Sequence, residues 1–342
     1  MRKLVECVPN FSEGRRKDLI SAIAHEIEEV KGVKLLDVDP NQDYNRTVIT
    51  FVGEPEGVLE AAFQSARKAT ELIDMRVHKG EHPRIGATDV VPFIPVSHSS
   101  MKECIGLAHH FGKRIGEELS IPVYLYEEAA TRPERSNLAH IRKGEYEGLP
   151  KKLQDPTWKP DYGPSTFNPR SGATVTGARV FLIAYNVNLN TNDKSIAQEI
   201  AMRIRESGRP LRDTEGKILR DGQGKARRIQ GSLKAVKANG FLLEAHDIAQ
   251  VSINLTNYEI TPPHIAFEEV KKEAETLGVE VAGSEVVGLI PKEALLMAGR
   301  FNSREEAGEE DLIQKAVTYL GLSQLGEFKP EEKIIEFRIR DG

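Results

Sequence analysis

Twice along the chain, two apolar-rich runs follow one another with only a short polar turn between them: VKLLDVD and RTVITFVG around the loop from Pro40 to Asn45, then LKAVKANGFLL and AQVSINLTN. So direct a connection suits an antiparallel pair, because parallel neighbours need a crossover of about a dozen residues or more. A doubly wound parallel sheet is therefore disfavoured, and the flanking segments must supply helices that cover antiparallel sheets. Ahead of the first pair stands an alternating run, Leu4 to Val8, which stops at Pro9-Asn10. A helix opened by Ser12-Glu13-Gly14 follows, with Leu19, Ile20, Ile23, Ile27 and Val30 on its apolar face. After the pair come a helix starting at Pro55, the strand DVVPFIPV, a helix over about 99–119 and the short strand PVYLYE. The second half repeats the order. ARVFLIAYNVNL, the helix KSIAQEIAMRIRES, the strand pair, the helix HIAFEEVKKEAETLG behind Thr261-Pro262-Pro263, and VEVAGSEVVGLI follow in turn. Strand, helix, two strands, helix, strand is the order of a split βαβ, or ferredoxin-like, unit. The expected fold class is α+β, with two such antiparallel-rich lobes and their helices on one face.

The length of 342 residues suits two domains of about 150 residues. The expected ranges are a first lobe over 1–178, a second over 179–299 and a small appendage over 300–342, whose run IIEFRIR reads as a strand. Two stretches fall outside the lobe pattern. Residues 144–177 are rich in Pro, Gly, Lys and aromatics and poor in periodicity, which reads as a long functional loop. Trp158, Tyr162 and Phe167 argue against disorder there. Residues 206–229 form a basic insertion with Gly216, Gly222 and Gly224, read as a protruding hairpin or mobile loop. A net charge of −5 gives no general attraction to nucleic acid. The opening MRKLVECVPNF is interrupted by Glu6, Pro9 and Asn10, so it is neither a signal core nor a membrane span. Cys7 and Cys104 form no CxxC and imply no disulfide framework. The expected location is the cytoplasm.

The chemistry concentrates in the loop HKGEHPRIGATD, His78 to Asp89. His78, Glu81 and His82 match the H-x-x-E-H pattern of one zinc-hydrolase class. That site needs both imidazoles on one face of a continuous helix, and Gly80 and Pro83 oppose a helix here, so no metal is expected. Two readings of His82 remain: an acid/base presented by a loop, or a ring that merely satisfies backbone groups in a tight turn. Asp37 and Asp39, at the end of a strand and on one face, are candidates to orient such an imidazole, although Asp39-Pro40-Asn41 also reads as turn chemistry. Arg46 and Arg84 are candidate clamps for substrate carboxylates or simply ion-pair partners. The 158–177 stretch either stacks a flat heterocycle or packs as a linker.

At these motifs the sequence resembles glutamate formimidoyltransferase, the transferase part of formimidoyltransferase-cyclodeaminase. The blocks that carry the resemblance are LVECVPNFSEG, LLDVD, LIDMRVHKGEHPRIGATDVVPFIPV, PVYLYEEA and the run from Trp158 to Gly177. It continues through FLIAYNVNL, AQVSINLTN, VVGLIPKEALL and the tail. The resemblance implies that His82 is the catalytic base and that Asp39 assists it. It places folate contacts on Gly163, Pro164, Ser165, Thr166, Phe167, Asn168, Pro169, Arg170, Ser171 and Gly172. It also implies a homodimer whose two sheets face a central cleft. The expected co-substrates are N-formimidoylglutamate and (poly)glutamylated tetrahydrofolate, with formylglutamate or formimidoylglycine as alternative donors. A non-catalytic folate or amino-acid sensor is the rival of another class. The animal protein's cyclodeaminase part has no counterpart here, which leaves a separate cyclodeaminase as a candidate partner. The basic insertion reads either as a solvated loop or as a seat for an anionic folate tail.

Overall fold

The computed structural model describes residues 3–42, 44–303 and 306–340. Met1, Arg2, Asp43, Arg304, Glu305, Asp341 and Gly342, which fall inside the expected domain ranges, lie outside the described residues. The chain divides into two compact units between Val180 and Phe181.

The first unit carries β1 (Leu4–Cys7), β2 (Asn10–Phe11), α1 (Lys17–Glu28), β3 (Val33–Asn41), β4 (Arg46–Gly53), α2 (Pro55–Leu72), β5 (Thr88–Ser97), α3 (Met101–Glu118), β6 (Val123–Glu127), α4 (Leu138–Arg142), α5 (Glu145–Lys152) and β7 (Thr174–Ala178). The two short strands β1 and β2 are one path broken at Val8-Pro9. Proline has no N–H to give a ladder, yet its carbonyl still accepts from Ile49 N–H. Both pieces pair antiparallel with β4 on one side and β5 on the other, and β3 pairs antiparallel with β4. Across the first four strand positions the order is therefore β3-β4-β1/β2-β5. The sheet then continues through β7 to β6, both parallel.

The strand β7 corrects the reading of residues 144–177 as irregular. That stretch contains the helix α5, a short 3-10 turn at Pro156–Trp158 and the buried strand TVTGA. All five β7 residues are buried, so no polar–apolar alternation marks it, as expected of a strand covered on both faces. One face of the sheet packs Val5, Phe11, Phe51, Phe93 and Leu125 against α1, α2 and α3, whose apolar stripes carry Ile23, Ala62 and Phe111. The opposite face of the β5-β7-β6 part packs Val90, Tyr124 and Val175 against Ile141 of α4 and Leu149 of α5. Helix α3 begins with a complete capping box at Ser100 and Glu103. Loss of such a cap costs about 0.5–2 kcal/mol.

The second unit has β8 (Ile183–Leu189), α6 (Lys194–Ile204), β9 (Arg209–Pro210), β10 (Arg228–Ile229), β11 (Val236–Leu243), β12 (Ile248–Leu255), α7 (Pro263–Thr276) and β13 (Val281–Val287). Behind these come α8 (Lys292–Phe301), α9 (Glu309–Leu320), α10 (Pro330–Lys333) and α11 (Ile335–Arg340). Its four-stranded sheet runs β11-β12-β8-β13, wholly antiparallel. Tyr185, Val187, Val251 and Ile253 pack on Ala197 and Ile200 of α6 and on Phe267 and Val270 of α7. The neighbouring strand positions, Asn186, Asn188 and Gln250, join Glu285 in a hydrogen-bonded polar cluster. The basic insertion is a hairpin arm: β9 pairs with β10, and between them two eight-residue repeats, LRDTEGKI and LRDGQGKA, fold alike. In each repeat the Asp carboxylate accepts two backbone N–H groups across its turn, Asp213 from Glu215 and Lys217, Asp221 from Gln223 and Lys225.

The tail departs from expectation. IIEFRIR is helical, not a strand, and only Ile334 keeps an extended bridge to Ile290. The tail packs on the second unit. Ile313, Ala316, Val317, Leu320, Phe328 and Ile334 share the hydrophobic core of the second unit. Among the described residues, no helix is long and apolar enough to cross a membrane.

Candidate functional site

The residues singled out in HKGEHPRIGATD lie on the connection between α2 and β5, and the NFSEG block holds that connection in place. Ser12 donates its hydroxyl to Gly86 O at 2.7 Å, and its N–H bonds Ala87 O at 2.9 Å. Glu13, almost wholly buried, accepts the N–H groups of Arg15 and Arg16 ahead of α1. It thereby orders the approach to α1, whose N-cap, Arg16, has no side-chain cap of its own. Gly14 N–H bonds Asn45 Oδ1 at 2.9 Å, and Asn45 Nδ2 in turn bonds Lys79 O at 2.8 Å. Asn45 sits at φ +48°, a left-handed conformation that asparagine tolerates better than most residues. The turn between β3 and β4 is therefore tied to the histidine loop by one amide side chain.

The stretch from Gly163 to Gly172 is sewn to the same loop. Ala87 N–H bonds Ser171 O at 2.9 Å, Ala173 N–H bonds Ile85 O at 3.0 Å, and Met75 N–H bonds Arg170 O at 2.9 Å. The two backbones approach so closely at Gly86 and Gly172 that a Cβ on either would lie 2.1 Å from a carbonyl oxygen, and Gly172 has φ +70°. Within the stretch, Asn168 Oδ1 accepts from the N–H groups of Arg170 and Ser171. Gly163, Ser165, Thr166, Pro169 and Arg170 are exposed. The expected aromatic platform is not free for stacking. Phe167 packs on Tyr146 at 5.4 Å, Trp158 on Tyr124 at 6.1 Å, and the Tyr162 hydroxyl bonds His109 Nδ1. Those rings are spent on packing, and the stretch offers its backbone and small side chains instead.

His78 and His82 turn to different partners. His78 Nε2–H donates to Asn45 O at 2.9 Å, and its Nδ1 accepts from Arg84 Nε at 3.3 Å, a structural pairing. Residues 78–82 are not helical, so the helix face demanded by the zinc-hydrolase pattern is missing. His82 is half-buried, and its Nε2 touches Nη1 of Arg46. A guanidinium only donates, so Nε2 is the bare acceptor nitrogen and the proton sits on Nδ1. Nδ1 is buried and faces no side-chain acceptor; the Pro83 backbone alone acts on it, against the lowering of the ring's pKa. Burial first, then the charges of Arg46 and Arg142, pull the imidazole pKa down to about 3, so the ring is neutral at pH 7. Tyr44 lies beside it, ring centroids 5.9 Å apart.

The expected orienting bond from Asp39 to His82 is not made. Asp39 is exposed on β3 opposite Val48, on the sheet face shared by Asn41 and Arg46, and its charge acts on the Arg46 guanidinium. Asp37 lies across a register shift in the same strand, paired with Thr50. The expected clamp role of Arg84 also gives way. Its side chain is 7% exposed and its guanidinium is committed to Glu147 through two bonds, at 2.7 and 2.8 Å, and to Glu145 at 3.0 Å. That pairing holds the Glu147 carboxyl down at about 2. Arg46, by contrast, makes no ion pair within 4 Å among the described residues, and burial lowers its own pKa first. Two residues that sequence reasoning left without a role complete the setting. Asp89, buried, accepts Ile85 N–H on Oδ1 at 2.8 Å and pairs through Oδ2 with Nη2 of Arg142 from α4. Asp89 stands in the histidine-loop motif and was within reach of sequence reading. Arg142 comes from 53 residues away, in a helix that carries no motif.

The site thus offers a neutral imidazole with a directed lone pair, two guanidiniums and an adjoining exposed backbone stretch. Comparisons with known proteins agree on where such a set belongs. A family model described as the formiminotransferase domain, N-terminal subdomain, matches residues 4–179, and one described as the formiminotransferase domain matches 184–340. The formimidoyltransferase-cyclodeaminase of Gallus gallus is 51% identical across 100% of this chain, which spans 61% of that relative's length. Glutamate formimidoyltransferases of Streptococcus pyogenes serotype M1 and Thermoplasma acidophilum are 45% and 46% identical, covering 86% and 87% of this chain and 92% and 91% of their own. With the two models together matching nearly the whole chain, and the two glutamate formimidoyltransferases covered over nine tenths of their length, the chain belongs to the formiminotransferase family.

Proposed function

We propose that this protein is a glutamate formimidoyltransferase, moving the formimidoyl group of N-formimidoyl-L-glutamate to N5 of tetrahydrofolate and releasing L-glutamate, as in histidine degradation. The observation that carries the reading is the neutral His82, its Nε2 an acceptor that Arg46 engages and its position fixed by the backbone bonds of the adjoining loops. When bound, tetrahydrofolate supplies the attacking N5, and the exposed backbone from Gly163 to Arg170 beside the Asn168 turn would hold it. His82 Nε2 accepts the proton released at the new bond and returns it to the departing glutamate nitrogen, a use of imidazole that needs the neutral form at the outset. Arg46 provides charge for the donor's carboxylates, and holding the reactants in place turns a bimolecular encounter into an oriented one. Asp39 acts through Arg46, drawing that cation toward β3. The donor already carries its electrophile, because a protonated formimidoyl carbon needs no further activation.

The buried free thiols Cys7 and Cys104 fit a reducing, cytoplasmic setting. A homodimer is part of the same proposal and is checked by light scattering. The test of function is incubation with tetrahydrofolate and a donor panel of formimidoylglutamate, formylglutamate and formimidoylglycine, with mass detection of both products. Formimidoylglutamate is expected to be the preferred donor. His82→Asn is expected to lower kcat by about 10²–10⁴-fold while folate still binds. Near-normal turnover by that variant would remove the histidine from the mechanism.

A further inference from the structure

Beside His82, among the described residues, Arg46 is the cation that makes no ion pair. The charged and titratable groups nearby are Asp39 from β3, Tyr44 from the following turn, Arg46 from β4, Asp89 from β5, Arg142 from α4 and, on its own loop, Arg84 and His78. Arg84 is neutralised by Glu147 and Glu145, and His78 is bonded to Arg84 and Asn45. Asp89 is shared between Arg142 and the Ile85 N–H, and its side chain is 2% exposed. Among the described residues, Arg46 then remains a half-buried cation whose side-chain contact is a neutral nitrogen, not a carboxylate. Each guanidinium acts on the other, and both act on the imidazole. One buried donor in this cluster, Arg142 Nε, has no acceptor, and His82 Nδ1 has none beyond the Pro83 backbone. Buried donors are nearly always satisfied, and a buried charge is nearly always paired, so the set is complete only with an anion present.

We propose that Arg46 and Arg142 together seat the α-carboxylate of the amino-acid donor beside His82, with Arg142 as the fixed cation and Arg46 as the movable one. This deepens the transferase reading of the site and rests on it. Arg142 is fixed because Asp89 grips its Nη2 while the same carboxylate holds the backbone of the His82 turn, so cation and imidazole share one anchor. A carboxylate has acceptor sites for both guanidiniums, one bond going to Arg142 Nε and another to Arg46. The α-carboxylate is the group selected because it is borne by the carbon that carries the departing nitrogen. Whatever brings that nitrogen within reach of His82 brings the carboxylate with it.

Seating the anion has a second effect. It draws Arg46 Nη1 off His82 Nε2, uncovers the lone pair and places a further negative charge beside the two guanidiniums that act on the imidazole. The imidazole therefore becomes a stronger base only when the donor is bound. Arg142 is a positioning and specificity residue in this scheme: it touches the donor's carboxylate and tunes the histidine through charge.

The experiment follows the His82 ring by NMR in the full chain, its signal assigned by comparison with His82→Asn, through pH titrations with no ligand, L-glutamate, L-glutamine or 4-aminobutyrate. L-Glutamate and L-glutamine keep the α-carboxylate and are expected to raise the midpoint by about one unit or more, whereas 4-aminobutyrate, which lacks it, leaves the midpoint where it was. Arg142→Gln is expected to weaken L-glutamate binding by about tenfold or more, with Arg142→Lys recovering part of it. An equal shift from 4-aminobutyrate, no shift from any ligand, or unchanged glutamate affinity in Arg142→Gln overturns the seat. Should Arg142→Gln fail to fold because Asp89 is left alone, the ligand comparison in the unaltered protein decides. The two proposals fail separately: absent turnover of formimidoylglutamate by the unaltered chain sinks the transferase reading, while turnover without carboxylate selectivity at His82 sinks only the seat.

Discussion

At the scale of single residues, keeping an imidazole neutral inside a protein has a thermodynamic consequence that does not depend on what the site does. His82 titrates near 3 when folded, against about 6.5 for a free ring, with burial as the main cause. Between those values the unfolded chain binds a proton that the folded chain refuses, so stability rises with pH through that window. The contribution is whole above about pH 6.5 and is lost as the pH falls towards 3. His78 and His264 are displaced in the same direction, again by burial first, and add to the slope. His82→Asn is accordingly expected to lose less stability than the unaltered protein between pH 6.5 and 4. Denaturant unfolding at several pH values measures this, and parallel curves for the two proteins would contradict the burial argument. Residue chemistry alone left His82 open between an acid/base and a turn residue, because a loop bounded by proline and glycine suits both, and the family resemblance decided between them. Arg142 was not legible, since its role comes from an ion pair with Asp89 that only the folded chain brings together. Arg84 and Asp39 show the converse. Residue type and motif offered Arg84 as a carboxylate clamp or ion-pair partner and Asp39 as the partner of His82, yet Arg84 is taken by Glu147 and Asp39 acts on Arg46 without bonding the ring.

At the scale of elements, the site depends on two connections locked backbone to backbone. The histidine loop and the 163–172 stretch meet at Gly86 and Gly172, where no side chain fits on either backbone. Gly172 also holds φ +70°, so alanine there meets both a steric clash with Ile85 O and an unfavourable backbone conformation. Gly172→Ala is expected to cost about 1–3 kcal/mol of unfolding free energy, and to weaken folate binding as the stretch shifts. Urea unfolding together with a binding titration reads both quantities; an unchanged midpoint would mean that the close approach is not rigid. The strand and helix order was open to sequence reading wherever one face of an element is wet, as in α1, α2 and α7, because periodicity then has two sides to report. It failed where both faces are covered, as in β7, and where helical turns carry closely spaced apolar residues, as at Ile334, Ile335, Phe337 and Ile339. Pro330, at the first helical position of α10, was the available cue for the second case.

At the scale of the whole molecule, the hydrophobic cores follow the division of the chain. The clusters of the first unit draw on residues from Val5 to Ala178, and that of the second on residues from Ile183 to Ile334. Each unit closes its own sheet with its own helices, and a length near 150–180 residues suffices to bury a self-sustaining core. The tail belongs to this argument, because Ile313, Val317, Leu320 and Ile334 complete the second core. Cutting after α8 would leave the partners of those residues, Ala294 and Ala298 among them, facing water. A fragment spanning 181–340 is therefore expected to fold alone and to unfold in one cooperative step, whereas a fragment ending at 302 should melt broadly or aggregate. Circular dichroism and calorimetry of the two fragments separate these outcomes. A cooperative transition in the shorter fragment would show that the second unit closes its core without the tail, and that core would have to be redrawn.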